Sequence, residues 1–273
     1  NVRLSLTPLL RTDKPSVLAL FDLSGGRARM GASILAQVAQ SFGDTAPDAP
    51  DAQKLVRFVK LIRKLTLAGC VTAYHDRSDG GLAATLSEMM FASHVGLDVT
   101  LDGLIDGAKD VEAATAALFN EEIGAVVQIP ADRLEDVKSQ AAAAGLSDCL
   151  FVVARINTTD TFKVTCGENV LVDEKRTDLM RVWSEVSHEI ARGRDNPACA
   201  DSELEVACGT DHQGLFVKTT FDPEEHPSGP YIHSGDVRPK IAVLREQGVN
   251  SQTEMAAAFT KAGFEAWDVH MTD

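Results

Sequence analysis

Between Ala52 and Met90 the spacing of apolar residues changes period twice, which restricts the chain to folds that interleave helices with strands. Leu55, Phe58, Val59, Ile62 and Leu65 recur at helical spacing, with Lys and Arg between them and Gly69 just past the end. Val71 to Tyr74 then reads as a short strand. The polar turn His75-Asp76-Arg77-Ser78-Asp79-Gly80-Gly81 leads into a second amphipathic helix that points Leu82, Leu86, Met89 and Met90 inward.

The same alternation extends to both sides. Ser16 to Leu23 is a buried strand ended by Ser24-Gly25-Gly26, a helix spans Ala32 to Ala39, and Phe42 to Asp51 is an exposed connection. Gly124 to Ile129 and Leu150 to Ile156 are strands flanking a helix from Ala131 to Ala144, closed by Gly145. Two further strands fall at Phe162 to Thr165 and Val170 to Val172, and Leu179, Val182, Trp183, Val186 and Ile190 form a helical stripe ending at Arg192-Gly193.

From Asp195 to Asp236 the chain is rich in Pro, Gly, His, Asp and Ser and reads as a linker, with one strand at Leu215 to Thr219. A boundary falls near Ser234. Beyond it, strand Ile241 to Leu244, helix Thr253 to Ala262 and strand Phe264 to Val269 make one βαβ unit, too small to bury a core of its own. The division expected is an α/β domain over 1–175, a helical and irregular linker over 176–233, and an incomplete domain over 234–273.

Charge narrows the partners. Forty acidic residues against 26 basic ones leave a net −14, a field that repels nucleic acid and anionic membrane surfaces. An anionic ligand then needs local anchors: Mg²⁺, backbone N–H groups or a helix N-terminus. Cys70, Cys149, Cys166, Cys199 and Cys208 form neither CxxC pairs nor a zinc spacing, which fits a reducing cytoplasm. No apolar run approaches the roughly 20 residues of a membrane span. The chain begins at Asn1 without Met or a signal-peptide pattern, as a piece of a longer protein does.

Chemistry concentrates in Tyr74 to Leu86, YHDRSDGGLAATL, at a strand C-terminus and a helix N-terminus. Asp76 offers hard oxygens for Mg²⁺, the Ser78 hydroxyl can reach a phosphate, and Gly80-Gly81 lets backbone N–H groups approach an anion. Spacing alone equally allows a plain turn in which Ser78 or Asp79, with Asp79 favoured, caps the helix. Gly25, Gly26 and Gly31 read as turn residues, Glu121 and Glu122 as a solvated helix end or cap, and His75 as a hydrogen-bonded structural residue. All five cysteines read as non-catalytic, and the remaining histidines, including His212, His226 and His233, show no ligand spacing.

HDRSDGGL followed by a helix containing SEM resembles the motif of the aminoimidazole-ribonucleotide-synthetase-like (AIR-synthetase-like) superfamily, whose members use ATP. FDLSGGRARMGASILAQV (Phe21 to Val38) and LFNEEIGAVVQIP (Leu118 to Pro130) resemble elements of its formylglycinamidine synthetase branch. RPKIAVLREQGVNSQTEMAAAF (Arg238 to Phe259) is similar to the start of class I glutamine amidotransferase domains, and Val182 to Ala200 resembles the linker before them. In this order the segments resemble large-type phosphoribosylformylglycinamidine synthases.

The resemblance implies an α+β sandwich of the AIR-synthetase C-terminal type, followed by the linker and a truncated Rossmann-like βαβ unit. It implies conversion of formylglycinamide ribonucleotide, glutamine and ATP into formylglycinamidine ribonucleotide, glutamate, ADP and phosphate, in the cytoplasm and with Mg²⁺. Asp76 becomes a Mg²⁺ ligand and Ser78 an ATP contact, the other metal ligands coming from a preceding synthetase domain. The glutaminase Cys, His and Glu fall beyond residue 273, so the fragment is expected to be inactive alone. The competing expectation is a noncatalytic docking module in which Asp76 to Gly81 is only a capped turn.

Overall fold

The computed structural model describes residues 4–43, 45–49, 51–107, 110–210, 215–222, 224–225, 229 and 238–272. It divides into two compact units, Asn1–His212 and Gln213–Asp273. The expected boundary at Ser234, and His212, His226 and His233, lie outside the described residues.

The first unit is built on strands β1 (Ser16–Asp22), β2 (Ala73–Asp76), β3 (Gly96–Thr100), β4 (Gly124–Pro130), β5 (Leu150–Asn157), β6 (Thr161–Cys166) and β7 (Asn169–Lys175). They form one sheet in the order β2-β4-β1-β5-β3-β6-β7. All neighbours run antiparallel except β3 and β6, which are parallel. Helices α1 (Ile34–Val38), α2 (Ala52–Leu67), α3 (Gly81–Ser93), α4 (Val111–Phe119), α5 (Leu134–Ala143), α6 (Arg176–Arg194) and α7 (Pro197–Cys208) complete the unit. The mixed α/β class read from the sequence is the one observed.

Strand β1 explains why its sequence is a continuous apolar run. Val17, Ala19 and Phe21 point to one face, where Phe58, Leu61 and Leu65 of α2 and Val137 and Ala141 of α5 cover them. Leu18 and Leu20 point to the other, under Leu82, Leu86 and Met89 of α3 and Ala114 and Ala117 of α4. A strand buried on both faces has no need of polar alternation. Each large aliphatic or aromatic side chain so buried contributes about 1.5–3 kcal/mol. Helix α2 begins at Asp51, whose carboxylate accepts from the Gln53 and Lys54 amides, and closes at Gly69 with φ +64°.

Several local expectations change. Strand β2 starts at Ala73 rather than Val71, because its ladder with β4 runs from Ala73↔Gln128 to Asp76↔Ala125; His75 and Asp76 therefore end the strand instead of beginning the turn. Strand β3 stands where the sequence suggested no element, and helix α4 fills a stretch for which the sequence suggested only a helix end or cap, at Glu121 and Glu122. The stretch read as irregular from Asp195 holds α7, capped by Asn196 with Pro197 in its first turn. Leu215 to Thr219 is not a strand: it has no ladder partner among the described residues, and Leu215, Phe216 and Val217 are exposed.

In the second unit β8 (Lys240–Arg245) and β9 (Glu265–His270) pair in parallel through α8 (Gln252–Lys261), the expected βαβ unit. Among its described residues only Val243 is buried. No helix among the described residues is long and apolar enough to cross a membrane.

Candidate functional site

The corner between β2 and α3 sorts its side chains by the strand's alternation. Tyr74 and Asp76 share a face, and the phenol donates to Asp76 Oδ1 at 2.5 Å. Burial, and after it the Asp76 carboxylate, push the Tyr74 phenol well above its ordinary pKa, so it remains a donor. The Asp76 carboxylate is exposed, and its second oxygen has no partner among the described residues. On the other face His75 Nε2 lies 2.8 Å from Glu88 Oε2 of α3, and Nδ1 lies 2.8 Å from the Asp76 carbonyl. His75 is thus the hydrogen-bonded structural residue expected.

Arg77 turns inward between two exposed neighbours, Asp76 and Ser78. Its Nε donates to the Glu122 carbonyl at 2.6 Å, its Nη2 to Asp22 Oδ1 at 3.1 Å, and its amide to the Gly124 carbonyl at 2.9 Å. Burial draws the guanidinium pKa down and the Asp22 carboxylate draws it back up. Sequence reasoning passed over Arg77, since an arginine in a polar turn reads as solvated.

The turn is not capped as expected. Neither Ser78 nor Asp79 caps α3: the N-cap is Gly80, at φ +83°, with no side-chain capping bond of its own. Its amide donates instead to Glu121 Oε1 at 2.9 Å, and the same oxygen accepts from the Ile34 amide of α1 at 2.8 Å. Glu121 is therefore a cap supplied from a distant loop. Glu122 is not solvated but fully buried, bound by Arg29 through Nε at 2.6 Å, Nη2 at 2.8 Å and the backbone amide at 3.1 Å. The hydrogen bonds that Arg29 donates to Glu122 raise the guanidinium pKa.

A cavity of about 440 Å³ opens beside this network, walled by Asp22, Gly25, Gly26, Arg77 and Asn120 among others. Asp76 and Ser78 are not among its walls. Among the described residues no group of three or more His, Cys, Asp or Glu could hold a metal ion. Asp76 alone fits as one ligand of an ion that takes one or two carboxylates and completes its shell with phosphate and water, as Mg²⁺ does.

The profile of the family described as AIR synthase related protein, C-terminal domain, matches residues 21–167. That of the CobB/CobQ-like glutamine amidotransferase domain matches residues 238–273. Among solved structures, Thermotoga maritima PurL complexed with FGAR aligns with TM-score 0.53 and 17% identity, over 65% of this chain and 29% of that one. PurLQS from Thermotoga maritima aligns with TM-score 0.50 and 15% identity, over 64% of this chain and 27% of that one. At such identity the likeness shows the fold alone, and this chain spans less than a third of either solved chain. With the match over 21–167 taking in strands β2 to β6, the Asp22–Arg77 pair and the corner at Asp76 and Ser78, the chain belongs to the AIR synthase related family through its C-terminal domain.

Proposed function

We propose that this chain is the last synthetase domain, linker and glutaminase opening of a large-type phosphoribosylformylglycinamidine synthase. That enzyme converts formylglycinamide ribonucleotide, glutamine and ATP into formylglycinamidine ribonucleotide, glutamate, ADP and phosphate. The observation carrying the reading is order within one chain: a synthetase-type match at 21–167 followed by a glutamine amidotransferase match at 238–273. The division proposed is 1–175, 176–233 and 234–273, and the compartment the cytoplasm. The PurL structure holding FGAR supports the same substrate class.

In this reading Asp76 is a Mg²⁺ ligand and Ser78 an ATP contact. When bound, Mg-ATP supplies the phosphoryl group that turns an amide oxygen into a leaving group, with the metal spreading phosphate charge. The chain's own residues hold that assembly. Tyr74 orients the Asp76 carboxylate, leaving one oxygen for a cation. The inward pull on Arg77 from Glu122, Asp22 and Gly124 presents Asp76 and Ser78 outward, and Glu121 fixes the turn behind them. The upstream synthetase domains complete the metal shell. No cysteine follows Cys208, so the glutaminase nucleophile comes from outside residues 238–273, and this chain alone does not turn over.

The test is calorimetric titration of Mg-ATP into the chain, with and without the upstream domains. Binding is expected to be weak or absent for the chain alone and restored with those domains. Asp76→Asn then weakens it about tenfold or more, the loss of one charged ligand; undiminished binding in that variant removes Asp76 from the metal.

A further inference from the structure

The chain carries a net −14, so cations that converge without partners have a local cause. They do so at the end of the sheet remote from Asp76 and Ser78. Strand β1 pairs Ser16 with Pro130 at this end and Asp22 with Gly124 at the other, about 20 Å away at the rise of an extended strand. A cavity of about 330 Å³ lies here, walled by Arg11, Lys14 and Arg133. Among the described residues none of the three is ion-paired. Asp13 and Asp132 also border it, leaving a local balance of 3 − 2 = +1.

Gln128 builds one wall. It is fully buried, and its Oε1 accepts from the Arg11 amide at 2.8 Å and from Thr72 Oγ1 at 2.9 Å. Its Nε2 donates to the Arg11 carbonyl at 2.6 Å and to Ser16 Oγ at 2.8 Å. These bonds pin the Arg11 backbone and Ser16 to Gln128 of β4, so Arg11 and Lys14 border the same cavity as Arg133. Because Ser16 Oγ already accepts from Gln128, the serine proton is left to donate. The Ser16 hydroxyl, the Thr72 hydroxyl already given to Gln128, and three cationic residues thus line the same space.

We propose that this cavity binds a small phosphate-class oxyanion, either inorganic phosphate or a phosphate monoester, through Arg11, Lys14, Arg133 and the Ser16 hydroxyl. Guanidinium forks and an ammonium suit tetrahedral oxyanions. Asp13 and Asp132 limit the negative charge the site accepts and so disfavour polyphosphates. The site is independent of the nucleotide corner.

The experiment is isothermal titration of the full chain, without Mg²⁺ and at low ionic strength, with inorganic phosphate and separately with ribose 5-phosphate. Saturable binding of either is expected, weakening as salt rises; which probe binds tells a free-phosphate site from a monoester site. Arg11→Ala and Arg133→Ala should each weaken binding about tenfold, the effect of one charge-assisted hydrogen bond, while Asp132→Asn tightens it. Arg11 and Arg133 are exposed, so the variants should keep the wild-type melting profile. Binding of neither probe, or undiminished binding in the Arg11→Ala/Arg133→Ala double variant, overturns the proposal. So does loss of phosphate binding in Asp76→Asn, which would place the anion at the other end of the sheet.

Discussion

Arg77 and Asp22, 55 residues apart in sequence, meet at 3.1 Å across the end of β4, with side chains 1% and 16% exposed. Removing one member of such a pair leaves an uncompensated buried charge. Asp22→Ala should therefore destabilise the first unit by about 3–5 kcal/mol, read as a lowered urea midpoint. Asp22→Ala/Arg77→Met should recover part of that loss, because the charge goes with its partner. An unchanged midpoint in the single variant would mean that the Glu122 carbonyl alone satisfies Arg77.

Glu121 joins the starts of two helices through one oxygen. Glu121→Ala removes an acceptor from the Gly80 and Ile34 amides and should cost about 1–2 kcal/mol, as loss of a cap does. Hydrogen exchange should quicken at both amides together. Quickening at only one would show that the carboxylate serves a single helix.

Gly81 sits at φ +67°, and a Cβ there would lie 2.7 Å from the carbonyl oxygens of Leu118 and Asn120. Both obstacles are backbone and cannot swing aside. Gly81→Ala should lower stability by more than about 1 kcal/mol. Gly25→Ala, at φ +72° with open space around it, should bear only the conformational strain and cost less. Thermal melts of the two variants compare them directly, and equal losses would leave no role for the close approach.

Burial pushes the Cys70, Cys149 and Cys208 thiols up, and Cys166 is buried as well, whereas Cys199 is exposed. Only thiolate reacts readily. Under native conditions a maleimide or disulfide reagent should modify one thiol per chain quickly, and Cys199→Ser should abolish that fast phase by mass spectrometry. Rapid modification of several thiols would mean that the buried set opens readily.

The Asp201 carboxylate is held below its ordinary value of 3.8, first by Arg192 and then by His188, which fastens α7 to α6. A folded-state pKa lower than the unfolded one gives stability that is complete above about pH 4 and lost as pH falls through the depressed folded value. Asp201→Asn should lower stability at neutral pH, converge with the wild type in acid, and so flatten the acid limb of the stability profile. An identical acid limb in both proteins would deny the linkage.

Much of the architecture was readable because apolar period reports a covered face. Leu55 to Leu65 repeats at helical spacing because one side of α2 lies on the sheet, and Val17 to Phe21 runs without alternation because β1 is covered twice. Misses came where period is short or composition misleads. Strand β3 offers only Leu97 and Val99 as an alternating pair, and α4 is alanine-rich with little contrast between faces. Helix α7 had a usable signal in Asn196-Pro197, masked by the polar composition around it. Leu215 to Val217 is apolar enough for a strand but has no ladder among the described residues, and a strand needs a partner.

The candidate site divides in the same way. The order of residues from His75 to Gly81 and the strand-to-helix change around them were set by sequence alone, since propensity, period and glycine placement act within a few residues. Which carboxylate caps α3, why Arg77 faces inward, and which cations gather at the far end of the sheet were decided only by tertiary structure. Those answers depend on Glu121, Asp22 and Gln128, brought alongside by strand pairing across tens of residues, and burial then turns an ordinary polar side chain into an obligatory partner.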